Sequence, residues 1–237
     1  MRSRRTWCAG LLAAGALAGV AAGAVRAQEP EVRREVRTVT IRVPNFEADT
    51  SQVPELQPWG RAAEALCQAW YGRIVAALDS DETKRPAPET VKIVFEKEMD
   101  GVAYANRNEI HIAAHWVRRN PNDFGMVAHE LTHIVQRYPR NRNAGWLVEG
   151  VADYVRLQHF EPALARPKID FTRAKHTDAY KTTAQFLIYL EEKYGSKVVP
   201  SLHAALQEGR YSDQLFQELT GKEVGTLWQE FAEASAA

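Results

Sequence analysis

The stretch Val127–Tyr138 reads VAHELTHIVQRY, and within it His129-Glu130-Leu131-Thr132-His133 forms the pattern H-E-x-x-H. On a helix, a step of four residues turns the chain by only about 40° past a full revolution, so both imidazoles leave the same side one turn apart. With His129 as origin, Met126, Glu130, His133 and Gln136 share its side, while Phe124, Val127, Leu131, Ile134, Val135 and Tyr138 fall opposite. Polar chemistry thus separates from core. His129 and His133 read as two metal ligands. Glu130, about a quarter turn away, is placed to hold a water and take its proton as general base.

A catalytic zinc takes three protein ligands and keeps one position open. The next helical stretch offers the third in Trp146-Leu-Val-Glu149-Gly-Val-Ala-Asp153-Tyr154, where Glu149 and Asp153 stand four apart and share a face. Folded back on the first helix, Glu149 would reach the metal, and Asp153 would accept the second ring N–H of His129 or His133. The longer pattern H-E-x-x-H-x-x-G-x-x-H is excluded, because Gln136 stands at its glycine and Pro139 at its third histidine.

The chain of 237 residues is long enough for one sizeable domain. Residues 1–27 carry Arg2, Arg4 and Arg5, an apolar run Trp7–Val25 and a small-residue site at Ala27, which reads as a cleaved export signal. The single domain is expected over 28–237. Without the leader, 26 basic side chains face 30 acidic ones, a formal charge of −4, which does not suggest a nucleic-acid partner. Only Cys67 remains after Cys8 is lost, so no internal disulfide is expected.

Along the chain, Thr38–Val43 alternates like a strand, and residues 45–58 show no clear period. Trp59–Leu78 has helical spacing, and Val91–Phe95 reads as a strand. Val102–Ala105 and Glu109–Ala113 read as a hairpin across Asn106–Asn108. Asn120-Pro121 has the chemistry of a helix start leading into the H-E-x-x-H helix. Beyond it, helices are expected over Trp146–Leu157, Asp178–Tyr194, Lys197–Gln207, Tyr211–Leu219 and Val224–Phe231.

Taken together, His129-Glu130-Leu-Thr-His133-Ile-Val-Gln136, Trp146 to Arg156, Tyr180-Lys-Thr-Thr-Ala184-Gln-Phe186-Leu187, Leu219-Thr-Gly221 and Leu227-Trp228 resemble the basic secretory protein peptidases of plants and bacteria, within the gluzincin metallopeptidases. The resemblance implies an α+β, zincin-like fold, with a small sheet lobe (about 36–138), a helical lobe (about 139–237) and the cleft between them. It also implies a secreted or periplasmic zinc peptidase acting on peptides or proteins, without stable membrane association once the leader is removed. The acidic balance departs from the family's name but touches no catalytic position. Rival readings are a secreted zinc-binding or defence protein with little hydrolysis, and a metal-dependent amidase on non-protein amides.

An oxyanion donor is expected from the C-terminal half. Candidates are His159, His176, Tyr180, Tyr189 and Tyr194. Tyr180, at the start of its helix and in the family-like Tyr-x-x-x-Ala pattern, leads, with His176 next.

Overall fold

The computed structural model describes residues 41–81, 84–139 and 144–236. The expected leader 1–27, the charged stretch 29–37, residues 38–40 of the first expected strand and residues 140–143 of the expected link lie outside these. Four strands and eight α-helices occur among the described residues: β1 Asn45–Asp49, α1 Gln57–Ala77, β2 Thr90–Glu96, β3 Ala103–Asn106, β4 Glu109–Ala113, α2 Ala114–Arg119, α3 Gly125–Gln136, α4 Gly145–Tyr154, α5 Tyr180–Tyr194, α6 Val198–Gln207, α7 Gln214–Thr220 and α8 Val224–Ala236. The chain is a mixed α+β protein. None of the described helices is long and apolar enough to cross a membrane.

The sheet runs β1-β2-β4-β3. β1 and β4 both pair parallel to β2, and β3 pairs antiparallel to β4 at the edge. Val91, Ile93, Phe95, Ile110 and Ile112 are fully buried on one face, where α1 brings Ala63, Cys67, Tyr71 and Ile74. Strand alternation and helix period thus meet in one core.

Two expectations for this half need correction. Of the strand expected at Thr38–Val43, the described residues Ile41–Val43 are not in a strand, and β1, the first strand among the described residues, begins after Pro44. The reason is tertiary, because Asn45, Glu47 and Asp49 are weak strand formers that β2 recruits in register from Asn45↔Thr90 to Asp49↔Val94. Nor does Asn120-Pro121 open the H-E-x-x-H helix. α2 ends there, the Asn120 amide donates to the Trp116 carbonyl at 3.2 Å, and Asp123 Oδ1 instead accepts the Met126 N–H at 3.2 Å to cap α3.

α3 buries Val127, Leu131, Ile134 and Val135 completely on the side opposite His129. It stops at Gln136, short of Tyr138, because Arg137 turns left-handed at φ 40°. The next helix is α-helical only to Tyr154; Val155–Phe160 widens into a π-helical turn. α5 begins at Tyr180 and α7 at Gln214, two and three residues later than their spacing suggested, and α8 runs on to Ala236.

Candidate metal centre

α3 sends His129 and His133 from one side, and α4 packs against it carrying Glu149 and Asp153. His129 Nε2 lies 3.2 Å from Glu149 Oε2 and 3.2 Å from His133 Nε2, and His133 Nε2 lies 3.5 Å from Glu149 Oε2. These three groups could hold a metal ion.

The tautomers sharpen that statement. His129 Nδ1–H donates to Asp153 Oδ1 at 2.7 Å, so Asp153 serves His129 rather than His133. His133 Nδ1–H donates to Gln136 Oε1 at 2.7 Å, and the Gln136 amide N–H donates to the Val148 carbonyl at 2.9 Å, which fixes the oxygen toward the ring. With both Nδ1 atoms committed as donors, both Nε2 atoms present lone pairs beside a carboxylate. Three electron-rich atoms facing one point make a favourable place for a cation. A proton on His129 supplies one in the metal-free protein: burial pulls that imidazole's pKa down, but hydrogen bonds to Asp153 and Glu149 outweigh it and carry it up to about 9. Burial raises Glu149, yet the hydrogen bond from His129 and the adjacent His133 imidazole prevail and hold it at about 2. A proton bridges only one edge of the triangle, whereas all three edges match the spacing of about 3.3 Å between ligands lying about 2.0–2.1 Å from a tetrahedral ion. The residues present therefore fit a metal.

Glu130 is not in this triangle. It is buried, and its Oε2 has no hydrogen-bond partner among the described residues, an orphaned acceptor next to the three donors. Burial raises its pKa above the ordinary carboxylate value, opposed by the two histidines and aided by Glu149.

A cleft of about 1070 Å³ opens over the triad between β3 with its following turn and the α3–α4 pair. A second cavity of about 550 Å³ adjoins it, and Ala103, His129, Glu130 and Tyr180 line both. Tyr180 is 55 % exposed, and its ring stacks on His129 at 6.2 Å between centroids. It sits there on unusual backbone, since Ala179 (φ 62°) and Tyr180 (φ 45°) are both left-handed without being glycine. Such residues cost about 1–3 kcal/mol each and concentrate at functional sites. Thr183 Oγ1 donating to the His176 carbonyl at 2.8 Å holds the turn, and Gly150 of α4 leaves room for the Thr183 side chain. The negative charge of Glu149, then burial, raises the Tyr180 pKa, keeping its O–H protonated.

The other donor candidates line neither cavity. His176 packs among Trp146, Phe186 and Trp228. His159 meets the Tyr154 hydroxyl, Tyr189 takes a bond from Lys193, and Tyr194 donates to Glu230. Sequence reasoning assigned nothing to Gln136, although its i+3 spacing from His133 was a usable signal.

A sequence model of the BSP family, described as peptidase of plants and bacteria, matches residues 55–231. The chain belongs to that family. Comparison with curated proteins and with solved structures returns no match. The BSP match takes in α3, α4 and α5 whole, so the three donor atoms, Glu130, Asp153 and Tyr180 all lie within the part of the chain that the family defines.

Proposed function

We propose that this BSP-family protein is an exported zinc metallopeptidase of gluzincin type that hydrolyses peptide bonds in peptides or proteins. The observation that carries the reading is the triangle of three lone-pair donors with an unpartnered buried Glu130 oxygen beside it, in a chain whose family is one of peptidases. Zinc held by His129, His133 and Glu149 would supply a Lewis acid for the carbonyl and lower the pKa of water at the site. Glu130, buried and with its proton affinity raised, takes the proton of the attacking water and passes it to the leaving amine. Asp153 keeps His129 in the tautomer that points Nε2 inward. Tyr180 donates its O–H to the negative charge that develops on the former carbonyl oxygen. β3, at the edge of the sheet among the described residues and beside the cleft, takes the substrate backbone as an added strand. The arrangement is read as zincin-like, with sheet and helices on the two sides of the cleft.

The test is metal analysis of the mature protein with a peptide-library digest, run with and without chelator. Stoichiometric zinc and chelator-sensitive cleavage are expected. Zinc without cleavage would leave a binding or defence protein, and cleavage confined to non-protein amides would leave an amidase. Export is tested by N-terminal sequencing, which should find Gln28 first; membrane-retained material still carrying Trp7–Val25 would overturn it.

Two substitutions probe the supporting roles. Asp153→Ala should weaken zinc binding by about 10–100-fold, as for other outer partners of a metal-bound histidine. Unchanged affinity in chelator competition would remove Asp153 from the site. Tyr180→Phe should keep zinc and fold but lower kcat by about 10²-fold with little change in KM, the signature of a bond made in the transition state. If that variant is fully active while His176→Ala is crippled, the donor is His176.

A further inference from the structure

Beside the metal site Arg156 is tied to two carboxylates, Glu161 and Asp123, and its position follows from two features of the helices around it. In an α-helix, residues five apart point about 140° away from each other. In the π-helical turn Val155–Phe160 the Glu161 N–H reaches the Arg156 carbonyl at 2.7 Å, and the i→i+5 pitch sets the two side chains together. Arg156 Nε then donates to Glu161 Oε2 at 2.8 Å. Its other arm donates to Asp123 Oδ1 at 2.8 Å, the same oxygen that caps α3 at Met126. The second feature is Gly125 at the start of α3. A Cβ there would land on the Glu161 carboxylate and within 2.5 Å of Arg156 Nε, so the ion pair lies directly against the α3 backbone.

α3 and the α4–π segment are thus tied on either side of the donor triangle. At one end Gln136 reaches the Val148 carbonyl, and at the other Arg156 reaches Asp123. The triangle needs such fixing, because two of its corners stand on one helix and the third on the other. We infer that Arg156, seated against Gly125 and braced by Glu161, is a positioning residue for the metal centre. It holds the start of α3 at the distance from α4 that brings Glu149 and Asp153 onto the two histidines. This rests on the metal reading proposed above.

The test uses the full mature chain, with zinc dissociation constants from chelator competition, the absorption spectrum of the cobalt(II)-substituted protein, and melting of the metal-free form. Arg156→Ala should weaken zinc about 10-fold, the lower end of the range for outer partners, and shift the cobalt bands. Gly125→Ala keeps every polar group but displaces the pair, so it should give the same loss and the same shift. Added to Arg156→Ala it should cost nothing more, because the released Glu161 can swing outward. Leu202→Ala, a core truncation in α6, is the control for lowered stability alone and should leave affinity and spectrum unchanged. Parental zinc affinity in both Arg156→Ala and Gly125→Ala would overturn the inference. An equal loss in Leu202→Ala at matched melting temperature would do the same. If the parent itself binds no stoichiometric zinc, the metal reading falls and the positioning role falls with it.

Discussion

Glu130→Gln is expected to bind zinc as the parent does and to lose about 10²–10⁴-fold in kcat, the range of a positioned general base. Among the polar atoms of the cleft floor, Glu130 Oε2 is buried without a partner, while the donor atoms of His129, His133 and Glu149 have already closed on one another at 3.2 and 3.5 Å. An amide of the same size preserves the packing and cannot accept a proton. Burial is the first cause of the raised Glu130 pKa, and it is also what makes the carboxylate a stronger base than one in water. The sign of the pH dependence follows. Activity that needs the ionised form disappears as pH falls through the Glu130 pKa, and the acid limb should vanish from the residual activity of Glu130→Gln. A variant that lost stoichiometric zinc would make Glu130 a ligand, and one that cleaved at the parental rate would place the base elsewhere.

The H-E-x-x-H helix was legible because two periodic signals coincide in VAHELTHIVQRY: a four-residue histidine step, and an apolar reverse of which Val127, Leu131, Ile134 and Val135 are completely buried. Glu149 and Asp153 were readable as one face of a second helix, although which histidine Asp153 meets depends on how the helices dock. Three features carried no local signal. β1 is a strand because β2 pairs with it, not because Asn45, Glu47 and Asp49 favour extension. The π-helical turn after Tyr154 has no sequence signature of its own and is seen only together with Gly125 and Glu161. The left-handed backbone of Ala179 and Tyr180 is invisible because neither is glycine, yet it brings the Tyr180 ring over His129. Local chemistry thus reports which residue types are present at the site, and tertiary packing decides how they face one another.

Glu149→Ala should cost zinc affinity well beyond the about 10–100-fold assigned to an outer partner such as Asp153, because it removes a donor atom rather than the support of one. The two remaining imidazoles sit one turn apart on α3 and hold only one edge of the triangle. The fold should survive, since Glu149 is 29 % exposed at the cleft while α4 is anchored by Leu147, Val151, Ala152 and Tyr154. In the metal-free protein a carboxylate held at about 2 contributes stability above its ordinary pKa and loses it as pH falls toward 2, so near neutrality the variant forgoes that modest, partly solvent-screened contribution. Melting with and without zinc separates the two effects. In the parent, an ion that binds only the folded chain raises the melting temperature, and in Glu149→Ala that increment should vanish while the metal-free curve moves little. Retention of the full zinc increment would require another third donor. Glu161 and His159, metal-ligating side-chain types that follow Glu149 along the chain, are already held by Arg156 and the Tyr154 hydroxyl, so such a result would mean that the helices dock differently in the loaded protein.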